Sequence, residues 1–298
     1  MPSMWAAVVA MLLLAADEDA LLNTEKLIAA GEYRKALAAL APEPASVRRH
    51  LLASKAYDGL NDPARAVEQA EAALAMDPRS EAAHLQLGQI FLGHNTPQAA
   101  ADVFTEALGL YPDSFFFRLG RGLAWKQLMR YDEAETDLRA CLARRPDLAI
   151  AFDALGTVYL QAKRFEDLQK LATEFRARNG ADYRGPYFAA AALDGLHPED
   201  ARADAWLAES VRRNPGFAAA HALLGKRQMA AGNTAAAIAA LERALALRPD
   251  YSPAALHLAQ AYQKAGRKDE AARAFQRVRE IKEKEQNPPP GLVYHRGK

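Results

Sequence analysis

The sequence predicts an all-α protein, an array of about eight antiparallel helix pairs rather than a domain around one core. Two observations predict it. Residues of one type recur at intervals of 34, and within each interval apolar residues fall at helical spacing on either side of a turn. The clearest unit runs from Glu81 to Pro112. There His84, Leu87, Gly88 and Phe91 form one helical face, and Ala100, Phe104 and Ala107 form a second. Spacings of i, i+3, i+4 and i+7 give a helix one apolar side. Between the faces stands His94-Asn95-Thr96-Pro97. Asn tolerates the left-handed backbone that ends a helix, Thr96 is placed to cap the next one, and Pro97 suits its first position.

The register extends along the chain. Gly88 is followed at intervals of 34 by Gly122 and Gly156, and after two steps plus one residue by Gly225. The small residue of the second helix runs Ala66, Ala100, Ala134, Leu168, Ala203, Ala237, Ala271, with one interval of 35 between Leu168 and Ala203. Closing prolines stand at 78, 112, 146, 215 and 249, and Tyr57, Phe91, Trp125, Tyr159 and Tyr262 mark a bulky site in the first helix. These coincidences make the chain resemble the tetratricopeptide-repeat (TPR) family. Its pattern of a large residue, Leu-Gly, an aromatic, Ala, an aromatic, Ala and Pro is met by His84, Leu87-Gly88, Phe91, Ala100, Phe104, Ala107 and Pro112. A second near-complete copy is His221, Leu224-Gly225, Ala237, Leu241, Ala244 and Pro249. The resemblance implies a right-handed superhelical solenoid in which each repeat packs on its neighbours.

In chain order, residues 1–16 are expected to be a signal peptide or N-terminal anchor, 17–285 the repeat domain and 286–298 a flexible tail. Met4 to Ala16 holds no charged residue; that is too short to span a bilayer and suits the apolar region of a signal peptide. Ala15 and Ala16 offer small residues before a cut at Asp17, although Met1-Pro2-Ser3 carries no Lys or Arg. A capping helix on the first repeat is the alternative. That first repeat is degenerate, since Ala36 and Ala66 are only 30 apart and Pro42 and Pro44 shorten its second helix. Repeats two to four repeat one chemistry, Asp62-Pro63 and Thr96-Pro97 within repeats and Ser80 and Ser114 as caps between them. Three adjacent aromatics, Phe115-Phe116-Phe117, cannot share one core on a helix, because successive residues are about 100° apart. Repeat five ends with Leu168 in place of Ala and Gly180 in place of Pro, and Arg178 to Pro186 reads as a loop and a hinge. Ser252-Pro253 is expected to cap and open the last pair, and Asn287-Pro288-Pro289-Pro290 ends its long second helix.

A net charge of +1 in 298 residues and a pI near 7.9 give no field for nucleic acid or an anionic membrane. Cys141 stands alone, so no internal disulfide forms, and it takes a position filled elsewhere by Ala107 and Ala244, that of a small buried residue. The sequence holds no metalloprotease-type His-Glu pair, phosphate loop or nucleophile elbow. His84 and His221 occupy one repeat position four repeats apart, too far to share a metal.

The family resemblance implies where binding occurs. The first helix of each repeat lines the concave surface through repeat positions 2, 5, 9 and 12. Those are Leu85, Gln89 and Leu92 after Ala82, then Phe116, Leu119, Leu123 and Lys126, then Ile150, Asp153, Thr157 and Leu160, with charge at the end from Arg48, Lys55 and Asp58. The expected function is a non-catalytic scaffold that takes a peptide or helix of a protein partner in this groove. It needs no cofactor, metal, nucleic acid or small-molecule substrate, and only its N-terminus meets a membrane. The alternative is a structural subunit of a secretion, pilus or envelope complex. Export, to a periplasm or to a membrane surface, follows from the leader; a capping helix at 1–16 would leave the protein cytoplasmic.

Overall fold

The computed structural model describes residues 18–40 and 45–286. The expected leader and nearly all of the expected tail lie outside the described residues; Gln286, assigned to the tail, ends the last helix. Among the described residues the chain has no strand and forms eight consecutive helix pairs. They are α1 (18–29) and α2 (Tyr33–Ala39), α3 (Val47–Gly59) and α4 (Pro63–Met76), α5 (Glu81–Gly93) and α6 (Pro97–Leu110), α7 (Phe115–Gln127) and α8 (Tyr131–Arg144). Then come α9 (Ala149–Gln161) and α10 (Phe165–Arg178), α11 (Arg184–Leu196) and α12 (Arg202–Arg213), α13 (Ala218–Ala230) and α14 (Thr234–Leu247), α15 (Ser252–Lys264) and α16 (Lys268–Gln286). The chain divides into two compact units between Asp137 and Leu138, inside α8.

The turns follow from local chemistry. Ser46, Asp62, Ser80 and Ser114 each accept a hydrogen bond from the backbone N–H three residues on, as good N-caps do. Two expected caps differ. Thr96 occupies the N-cap of α6 without a capping bond, its hydroxyl donating instead to the His94 carbonyl at 3.3 Å. Ser252 is already the first helical residue of α15, and Tyr251 precedes it. Seven of the eight turns within a pair place one residue in the left-handed region: Gly31, Asn61, Asn95, Met129, Lys163, Gly232 and Gly266. The eighth, between α11 and α12, is longer and has none.

In the first unit the core runs from Ala66 to Ala124 and centres on Phe91, Phe104 and Phe117, all essentially without exposure. The Phe104 ring fills a slot between Gly88 of α5 and Gly120 of α7; a Cβ at either glycine would lie 2.3 or 2.5 Å from its Cζ atom. Gly120-Arg121-Gly122 is therefore helix packing, and Arg121 makes a bidentate pair with the buried Asp137, at 2.8 and 2.9 Å. Of the three adjacent phenylalanines, Phe117 enters the core and Phe116 is 62% exposed. His84 is buried with its Nδ1 3.0 Å from the Ser80 carbonyl, whereas His221, at the same repeat position, is only half-buried.

In the second unit the loop expected from Arg178 to Pro186 is shorter than its composition suggests. Only residues 179–183 lie between helices, and Arg184, Gly185 and Pro186 form the first turn of α11. The junction is well packed: Phe152 stacks on Phe175 at 3.6 Å between centroids and meets Phe188 edge-on at 5.3 Å. The connecting loop is held by α12, whose Ser210 hydroxyl donates to the Tyr183 carbonyl and whose Arg213 donates to that of Asp182, both at 2.9 Å. The extra residue of the register lies further on. Ala190, fully buried, takes the repeat position of Gly156 and Gly225, so the insertion falls after it, in the turn between Leu196 and Arg202. Arg227 of α13 holds that turn. Its side chain, 7% exposed, donates to Asp204 at 2.6 and 3.0 Å, to Asp194 at 3.1 Å, and to the carbonyls of Pro198 and Asp200 at 3.0 Å each. Val278 and Ile281 of α16 close the core against α14 and α15, and Cys141 is buried as expected.

Candidate binding groove

The residues singled out by repeat position divide between the two units. In the first, Leu85 and Leu92 of α5 are half-buried and pack against the core, so they are less free than the stripe implied. Gln89 is exposed, while Leu119, Leu123 and Lys126 of α7 are half-buried. Phe116 is the open apolar residue of that stripe, its ring edge-on to Phe115 at 5.7 Å. The charged end is occupied internally: Arg48 pairs with Glu18 and Glu25 at 2.7 and 3.0 Å, and Asp58 accepts from His94 at 2.8 Å. In the second unit, on α9, Ile150 is 50% exposed while Asp153, Thr157 and Leu160 are half-buried. Thr157 donates to the Asp153 carbonyl at 2.8 Å, and Arg184 stands 4.0 Å from the Asp153 carboxylate.

Of these residues, only Leu160 lines the cavity that the second unit forms. That cavity, of about 300 Å³, is walled by α9, α11, α13 and α15, the first helices of four successive pairs. Tyr187 and Ala191 of α11 and Ala219, Ala222 and Leu223 of α13 make an apolar floor, with Tyr251 and Pro253 beyond. Phe165 closes one end with its ring laid on Gly195, where a Cβ would approach to 2.5 Å. Polar groups converge on this floor. Asp194 accepts from Lys226 at 2.6 Å and from Arg227 at 3.1 Å, and Lys163 and His257 stand among the lining residues. Burial pushes the Tyr187 phenol far above its ordinary range, with Tyr251 and Asp153 acting in the same direction, and burial raises Tyr251 too. Both therefore remain neutral hydroxyls. Arg248 lies 3.4 Å over the Tyr251 ring, a cation–π contact that fixes it.

Eight of the fourteen lining residues stand at the four repeat positions carried over from the family: Leu160, Tyr187, Ala191, Asp194, Ala219, Ala222, Lys226 and Pro253. Continuing the interval of 34 from Asp153, Thr157 and Leu160 reaches Tyr187, Ala191 and Asp194, and the step of 35 then reaches Ala222 and Lys226. Phe165, Tyr251 and His257 fall outside those positions. Among the described residues no group of three or more His, Cys, Asp or Glu could hold a metal, and no helix is long and apolar enough to cross a membrane.

Comparison with known proteins gives the same architecture. Two tetratricopeptide-repeat models match residues 51–115 and 228–287. No curated protein sequence matches the chain. Among solved structures, a tetratricopeptide-repeat protein from Parabacteroides merdae aligns with a TM-score of 0.68 at 14% identity, over 83% of this chain and 99% of its own. PilW, a type IV pilus biogenesis factor, aligns at 0.59 and 20% identity over 70% of this chain and 97% of its own. Pseudomonas aeruginosa pilF aligns at 0.56 and 19% over 73% and 96%. At such identities the likeness is one of fold. With its 34-residue register, its paired helices and these two matches, the chain belongs to the tetratricopeptide-repeat family.

Proposed function

We propose that this chain is a protein-interaction scaffold without catalysis of its own, and that its second unit holds a short segment of a partner in the groove walled by α9, α11, α13 and α15. The observation that carries this reading is the cavity itself. It combines an apolar, partly aromatic floor with a few convergent polar groups, the composition of a recognition site. The walls are helices whose backs are fixed in the core, so binding costs the scaffold little ordering. Selection of a displayed random-peptide library on the full chain tests the reading. Selected peptides should lose binding to the Ala219→Trp variant, which fills the groove from a half-buried position, and keep it for Glu174→Ala on the exposed face of α10. Peptides indifferent to Ala219→Trp would place recognition elsewhere.

The reading extends to export. The uncharged run Met4 to Ala16 ending at Asp17-Glu18-Asp19 is motive enough for a cleaved leader, and the N-terminus of protein purified from its native host should then be Asp17. A product beginning at Met1 would remove this part of the reading. The fold likeness to PilW and pilF favours a second reading, a structural subunit of an envelope or pilus assembly. In that case deletion of the gene should dissociate a complex while groove variants leave the complex intact.

A further inference from the structure

The charges around the second-unit groove carry the reading further, to the chemistry of the partner. We propose that the groove takes a peptide segment bearing one large apolar side chain flanked by acidic residues; this rests on the reading of the groove as a peptide site. The volume, about 300 Å³, lies at the small end of ligand sites, which span roughly 300–1,000 Å³. It seats one side chain, not a folded surface. The floor of Tyr187, Ala191, Ala222 and Leu223 offers that side chain apolar contact, and burial of such an anchor drives the association.

The polar groups then decide what may stand beside the anchor. Asp194 is the only carboxylate among the lining residues, and it is already matched by two cations, Lys226 at 2.6 Å and Arg227 at 3.1 Å. Asp153, which reaches the Tyr187 phenol through its charge, has Arg184 at 4.0 Å. On the other side of the balance, the exposed Lys163 makes no ion pair among the described residues, and half of the Lys226 side chain faces solvent. His257 adds a third nitrogen base, with Nδ1 3.2 Å from Gln260. A cationic residue beside the anchor would therefore meet the unpaired Lys163 ammonium and no free acid. A carboxylate there completes the charge balance, and electrostatic complementarity of this kind sets partner choice more than raw affinity. The two tyrosine hydroxyls, neutral, are engaged with each other at the floor and leave the charged side chains to set the choice of flank.

Fluorescence anisotropy with three labelled, C-terminally amidated nine-residue peptides tests this, at low salt. Each carries tryptophan at its centre, with flanks of glutamate, glutamine or lysine. The glutamate peptide should bind tightest and the lysine peptide about tenfold more weakly or worse. Lys163→Glu with Lys226→Glu should invert that order; Arg227 still holds Asp194 in the variant, and Lys163→Glu alone, at an exposed residue, should weaken the glutamate peptide should the double variant unfold. Ala219→Trp should abolish binding of all three. An order unchanged by charge reversal, or equal affinities, would overturn the acidic-partner inference while leaving the peptide groove standing. Binding that survives Ala219→Trp, or no binding by any of the three peptides, would overturn both.

Discussion

Arg227 is the residue whose loss should tell most about the second unit. It reaches from α13 to both neighbours of the preceding pair and to the long turn between them. Replacing it with methionine keeps the length of the stem and removes the guanidinium. Breaking a buried ion pair costs about 3–5 kcal/mol when the stranded partner stays buried. Here the partners keep some relief. Asp194, 10% exposed, retains Lys226, and Asp204, 44% exposed, faces water. The carbonyls of Pro198 and Asp200 belong to a turn whose residues 197–199 are open to solvent. The expected loss is therefore about 2–3 kcal/mol, below the range for a fully buried pair. With roughly 2–4 °C per kcal/mol for a unit of this size, the melting temperature should fall by about 4–12 °C.

Hydrogen exchange locates the effect. The amides of Asp200, Ala203 and Asp204, which donate to His197, Asp200 and Ala201, should exchange faster in Arg227→Met, whereas amides of α5 to α7 in the first unit should not change. Stability in a repeat array is a sum of local and neighbour terms, so the damage stays local. Arg227→Lys should lose nearly as much, because an ammonium cannot span two carboxylates and two carbonyls as a planar fork does. A variant within about 0.5 kcal/mol of the parent, with exchange unchanged from His197 to Asp204, would refute the assignment of Arg227 as the clasp of this turn.

Met129→Gly should stabilise the protein by about 0.5–1 kcal/mol in a thermal or denaturant melt, since Met129 holds a φ of 56° with its side chain 68% exposed and glycine removes the left-handed strain. Gly120→Ala should lose stability despite the better helix former, because overpacking against Phe104 costs about 1–3 kcal/mol against a propensity gain of about 1. Phe104→Leu in the same chain should recover part of that loss, a coupling read by a double-mutant cycle. Asp200 accepts from Arg202, which holds its carboxyl at about 2, below the ordinary 3.8. A depressed carboxylate contributes stability that is complete above its unfolded value and lost as pH falls through its folded one. Asp200→Asn should therefore lower the melting temperature slightly at neutral pH and flatten its fall between about pH 4 and pH 2.

The fold was legible because helix pairs repeat their chemistry locally. Ser80 and Ser114 cap as their positions suggest, and Cys141 is buried because Ala107 and Ala244 are. Where the structure differs from the reading, the deciding contact is one that residue type alone does not announce. Thr96 has the right residue type for a cap, yet its hydroxyl found the His94 carbonyl instead. Arg178 to Pro186 has lost its proline and gained glycines, and from the sequence alone that is a weak joint. The joint is held by Phe152, Phe175 and Phe188 and by two side chains of α12, none of which the loop's own composition announces.

The groove shows the same division within one site. Its positions were legible: the interval of 34 carried on from Asp153, Thr157 and Leu160 arrives at Tyr187, Ala191 and Asp194, and an allowance of one residue arrives at Ala222 and Lys226. What stopped the extension was the unplaced insertion in the sixth repeat. Placed at Phe175 to Pro186, it would shift every later position by one and aim α11 by its wrong face, since one residue turns a helix by about 100°. Ala190, buried where Gly156 and Gly225 stand, is the residue that settles the register. The insertion then lengthens the turn beyond Leu196, and the longer turn is what Arg227 binds through the Pro198 and Asp200 carbonyls. By reaching Asp194 at the same time, Arg227 withdraws from the groove the one carboxylate among its lining residues. The irregular repeat and the groove thus share one residue: Arg227 holds the lengthened turn, and with Lys226 it leaves the groove no unpaired carboxylate.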